Sequence, residues 1–159
     1  MSFLRFLMLL SLIAWVGGLV FFPIVAQTAF SVLPAPHLAG LVVRRCLIVL
    51  HWMGIVSGLI FLASSMLHNY LARGAAHVFA APHALICVML LLTLISQFSI
   101  IPRMDALRVS AGEIASLSTD NPVRMQFDAL HVWSTRLEGA VLLLGLLLAF
   151  LVARGFQEN

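Results

Sequence analysis

Phe127-Asp-Ala-Leu-His131-Val-Trp-Ser134-Thr-Arg136-Leu-Glu138 runs without a break into the apolar stretch 139–152. A histidine, an arginine and a carboxylate thus stand on the lip of a segment fit to cross a bilayer. A carboxylate left unpaired or turned to lipid at that depth is costly, so Glu138 is expected to point inward and to have a partner. His131 and Glu138 are seven residues apart and share a helix face. The rest of the chain is read by asking what these groups meet.

Composition sets the class. The 159 residues are 62% hydrophobic and only 9% charged, against about 25% charged in an ordinary soluble domain. Mean hydropathy is +1.09. Such a chain keeps much of its surface in lipid, and its length fits one domain, 1–159. The net charge of +3 is carried by arginine alone, since there is no lysine. The arginines sit singly or in pairs at the ends of apolar runs, as membrane anchors do, and form no nucleic-acid patch. Cys46 and Cys87 fall in different runs without metal spacing, and are read as small buried hydrophobes. The first run, 6–26, is too long for a cleaved signal and reads as a retained span.

Four spans follow, at about 3–26, 46–67, 80–101 and 133–153. Trp15-Val-Gly17-Gly18 in the first and Gly54-Ile-Val-Ser-Gly58 in the second offer small-residue faces for close helix packing. Ile101-Pro102 is expected to end the third. Apolar spacing at Leu107, Ile114 and Leu117 predicts a short amphipathic helix, 104–117, lying on the membrane. Asp120 or Asn121 is expected to cap a helix that begins near Pro122 and continues into the fourth span. The fold expected is all-α: an integral membrane four-helix bundle with a short amphipathic interfacial helix between helices 3 and 4.

Six arginines fall on the side of the 1–2 and 3–4 connections, and three on the side of the termini. Arginine asymmetry puts the longer loops in the cytoplasm and both termini outside, in a bacterial-type inner membrane.

At the arginine-rich end, depth counting gathers Gln27, His51, Gln97, His131, Ser134 and Glu138. His51, Arg45 and Arg136 are the candidate partners of Glu138. One reading is a hydrogen-bond network that fixes helix register. A sharper one is a proton- or metal-handling set of His51, His131 and Glu138, two imidazoles and one carboxylate. At the other end His68, His77 and His83 lie near Met66 and Cys87. Histidines on neighbouring membrane helices suit a haem or chlorin, so His68, His83 and His51 are the cofactor candidates; the plainer reading is interface residues meeting headgroups. No phosphate loop, dinucleotide fingerprint or nucleophile elbow occurs.

Several motifs together resemble the transmembrane-protein-205-like family, a four-span membrane domain of unknown function. They are Trp15-Val-Gly17-Gly18 with Phe21 and Phe22, Phe30-Ser-Val-Leu33-Pro34, Ala39-Gly40, Ile101-Pro102-Arg103-Met104, and Phe127, Leu130-His131 and Ser134. The family pattern has asparagine where this chain has Glu138, so a role for that amide does not carry over. The resemblance implies four spans and no established enzyme activity. Small domains in copper-resistance membrane proteins share the tryptophan-glycine first helix, which keeps metal handling in view.

Three functions are therefore expected in order. The first is a non-enzymatic accessory or binding subunit, surrounded by lipid and packed through glycine faces on other transmembrane subunits. The second is handling or export of a metal ion or small solute. The third is a haem- or chlorin-ligating subunit of an electron-transfer complex.

Overall fold

The computed structural model describes residues 2–74 and 81–155. The chain runs as α1 (Ser2–Val32), α2 (Pro36–Arg73), α3 (Ala81–Ile95), a π-helical turn (Ser96–Ile100), α4 (Ile101–Ala111), a short 3-10 turn (Ile114–Ser116) and α5 (Pro122–Gly155). Among the described residues there is no strand. Four stretches are long and apolar enough to cross a membrane: Ser2–Val32, Pro36–Ala72, Ala81–Ala111 and Pro122–Arg154. The protein is thus an all-helical integral membrane protein. With 38 residues, α2 is about 57 Å long, well beyond a hydrocarbon core of about 30 Å. The helices outrun the lipid tails, and this is why α1 and α2 extend past the expected span limits.

Local chemistry sets the helix ends. Pro36 lies in the first turn of α2, where a missing N–H costs nothing. Gly74 ends α2 at φ 72°, its N–H donating to the Tyr70 carbonyl, and Gly112 ends α4 at φ 70°. Both positions need the left-handed region that glycine enters freely. Asn121 caps α5 by accepting the Val123 N–H at 2.9 Å.

The third span corrects the sequence reading. Ile101-Pro102 does not end it, and residues 104–117 do not form a separate interfacial helix. Pro102 lacks an N–H and would break a regular α-helical ladder. Here the ladder widens to a π turn just before it, with the Ile101 N–H donating to the Ser96 carbonyl. The helix then continues as α4 to Ala111, and Gly112 separates it from the 3-10 turn. The spacing of Leu107, Ile114 and Leu117 therefore spans two elements.

The core is apolar and centres on Trp15, which is 2% exposed, with Leu12, Val16, Phe61, Ile86, Met89 and Leu148. Gly54 and Gly58 receive the Trp15 ring. A Cβ on Gly54 would lie 2.4 Å from the indole Nε1, and one on Gly58 would lie 2.9 Å from Cζ3. Gly145 of α5 admits Val16 in the same way. The GxxxG face is thus filled from within the chain. Gly17 and Gly139 face open space. Both cysteines are free; Cys46 is half-buried, but Cys87 is exposed rather than buried.

Candidate functional site

Three helices converge on His51. This imidazole sits on α2 and is 2% exposed. Its Nδ1 is 2.9 Å from Gln97 Oε1, carried by the π turn. Its Nε2 is 2.5 Å from Glu138 Oε1, on α5. The Glu138 side chain is itself only 16% exposed.

The chemistry of this pair is constrained. The Gln97 oxygen can only accept, so it takes the proton of Nδ1. One more proton then lies between Nε2 and Glu138. It sits either on the ring, giving imidazolium and carboxylate, or on the acid, giving neutral imidazole and carboxylic acid. Both forms sum to zero charge, which a low-dielectric bundle tolerates far better than a lone ion. Gln97 fixes the tautomer, and so fixes which nitrogen meets the acid. Beside it on the chain, the buried Ser96 hydroxyl has no hydrogen-bond partner among the described residues. A π turn and an unsatisfied buried hydroxyl are both features common at functional sites.

A second polar layer lies one step outward. Arg44 of α2 forms a two-point salt bridge with Asp105 of α4, and Arg108 joins from the next turn at 3.5 Å. The Arg108 guanidinium also lies 4.9 Å from the centre of the Phe127 ring on α5. His37 and Glu113 meet at 3.5 Å, half exposed. Arg124 donates to the Leu117 carbonyl and lies 3.8 Å from Asp128. These contacts tie α2, α4 and α5 at the level where headgroups would be. The arginine count takes Arg44 and Arg108 only as charges on one side of the membrane and leaves out Asp105, their shared anion. The signal was present, because a lone aspartate stands between Arg103 and Arg108.

The other predicted residues separate. His131 is exposed, and so is Gln27; neither reaches His51. Ser134 is buried. Arg45 and Arg136 are exposed and have no carboxylate within 4 Å among the described residues, so His51 alone partners Glu138. Among the described residues, no three His, Cys, Asp or Glu side chains are arranged to hold a metal. The set His51, His131 and Glu138 is thus brought together only in part.

At the end near the termini, the Arg5 Nε donates to His68 Nε2 at 3.2 Å. His83 Nε2 lies 2.9 Å from the Ser65 hydroxyl, and both residues are buried. His77 lies outside the described residues. All three cofactor candidates, His51, His68 and His83, therefore have a ring nitrogen engaged by a protein group.

No curated protein and no solved structure matches the chain. One family, described as a domain of unknown function, matches residues 10–113, a stretch that holds His51, Gln97 and Asp105 and stops short of Glu138. That match does not single out the transmembrane-protein-205-like family. Covering well over half of a four-span, wholly helical chain, it shows that the protein belongs to the family DUF4149.

Proposed function

We propose that the protein is a non-enzymatic membrane protein that handles a small solute or ion together with the proton held by His51 and Glu138. The observation that carries this reading is the 2.5 Å contact between two titratable side chains inside the bundle. Ionisable side chains inside membrane helices are costly, and they commonly mark proton or ion pathways. The pair changes charge only by gaining or losing a proton, which is the elementary event of proton-coupled handling. The likeness to copper-resistance domains in the first helix agrees with a cationic solute. The arginine asymmetry supports an inner-membrane placement with both termini outside.

Reconstituted vesicles test it. An internal pH dye reports proton movement when copper(II), zinc(II) or ethidium is added outside. The expected result is a pH change with at least one of these that is absent in Glu138→Gln. No pH change with any of the three in wild type overturns the reading.

The accessory-subunit reading rests on a different observation. In the most apolar window of α5 only 17% of residues are buried, and Leu143, Leu146, Leu147 and Phe150 line its outer side next to the open Gly139. Native electrophoresis in mild detergent separates the two: migration only as a monomer or homodimer removes the accessory role. The haem or chlorin reading requires His68 or His83 to leave Arg5 or Ser65, and a colourless purified protein removes it.

A further inference from the structure

We propose that the groove between α1 and α2 holds one acyl chain of an acidic phospholipid, whose headgroup phosphate rests on Arg45. The groove is open along its length, offers about 150 Å³ and is lined by Phe21, Phe22, Cys46, Val49 and Met53, over the small floor of Gly18. Its walls are almost wholly apolar, which fits a hydrocarbon chain and no polar solute. Its direction also fits. Cys46, Val49 and Met53 lie progressively deeper along α2, and the groove begins at the residue after Arg45.

Arg45 stands one helical turn outward of Val49 on the same face. It is exposed and has no carboxylate within 4 Å among the described residues. Its neighbour Arg44 is paired with Asp105, so the layer leaves Arg45 as an exposed cation just beyond the groove's outer end. Arg45 also lies six residues outward of His51, about 9 Å along the helix. That places it at headgroup level while the groove runs among the tails. An anionic headgroup with a chain attached satisfies both features at once.

Trp52 is the reporter: its ring packs edge-on to Phe98 and lies beside the groove rather than in it. It is half exposed and lies three residues beyond Val49 on α2. Trp15 is buried, and a Trp133→Phe background removes the other exposed indole. Quenching of Trp52 by lipids with brominated chains then measures which lipid stands beside α2 at this depth. Brominated phosphatidylglycerol is expected to bind about fivefold more tightly than brominated phosphatidylcholine, the preference one arginine supplies at a membrane surface. Arg45→Gln removes that preference and keeps the quenching by phosphatidylcholine. Arg45→Lys retains most of the preference. Equal binding of the two lipids by wild type overturns the proposal, as does a preference that survives Arg45→Gln. Loss of the preference in millimolar inorganic phosphate also overturns it, because the arginine then reads a bare anion.

Discussion

The bundle has two seams of opposite character. In the middle of α1 and α2 the contact is dry: the Trp15 ring fits the hollow made by Gly54 and Gly58. Along α2, α3 and α5 the contact is polar: one imidazole holds a carboxylate on one side and an amide on the other. In lipid there is no hydrophobic drive between helices, since tails are as apolar as leucine. The dry seam therefore depends on shape, and the polar seam on satisfied protons. The comparison teaches that the two seams fail differently. The dry one fails when an atom is added, and the polar one fails when a partner is taken away.

The largest effect is expected from the polar seam. His51→Leu leaves Glu138 without its imidazole, and removing one partner of a buried pair costs about 3–5 kcal/mol. Thermal unfolding in mild detergent checks this. Glu138→Leu is expected to cost less, because the remaining imidazole keeps its hydrogen bond to Gln97. Equal, near-zero shifts in both variants would show that the contact contributes no stability. Next comes the dry seam. Gly54→Ala drives a methyl into the indole, and overpacking of this kind costs about 1–3 kcal/mol. Trp15→Phe in the same chain is expected to recover part of that loss, and no recovery would mean the ring is not the obstacle.

Smaller effects belong to the periphery of both seams. Arg44→Gln leaves Asp105 to Arg108 and, at about a quarter exposure for both partners, is expected to cost no more than about 1 kcal/mol, less in high salt. Gly17→Ala, on the open side of α1, is expected to be neutral or slightly stabilising, since alanine favours helix by up to about 1 kcal/mol. The smallest effect lies in the loop before α5. The Ser118 hydroxyl and the backbone hold the exposed Asp120 carboxyl below its ordinary range. Its contribution is present at neutral pH and is lost as pH falls through the depressed value, below about 4. An NMR titration of Asp120 in Ser118→Ala should show the carboxyl returning toward its ordinary range.

Much of this was legible in the chain. Four apolar runs gave four spans, and depth counting put His51, Gln97 and Glu138 at one level. Depth alone does not give the angle around a helix. Gln27 shares the level, yet it lies on the outer stripe of α1 with Val20 and Ile24, so it misses the cluster. His131 was assigned to the face of Glu138, but it lies two turns nearer the headgroups, where it is exposed. The glycine faces were legible as seams but not as seams within the chain, because the indole that fills them comes from another helix. Pro102 was misread for a physical reason: a proline ends a regular helix, but a widened turn before it removes the conflict.

That widened turn also settles a mismatch in counting. On α2 the two latching residues, Arg44 and His51, are seven apart; their mates Gln97 and Asp105 are eight apart. Two uniform rods cannot meet at both points, because one extra residue swings a side chain by about 100°. The surplus loop of backbone at 96–100 absorbs that residue and brings both mates into phase, much as a leap day keeps two calendars aligned. Removing a single residue there would bring back the conflict with Pro102 and turn Gln97 out of phase with Asp105.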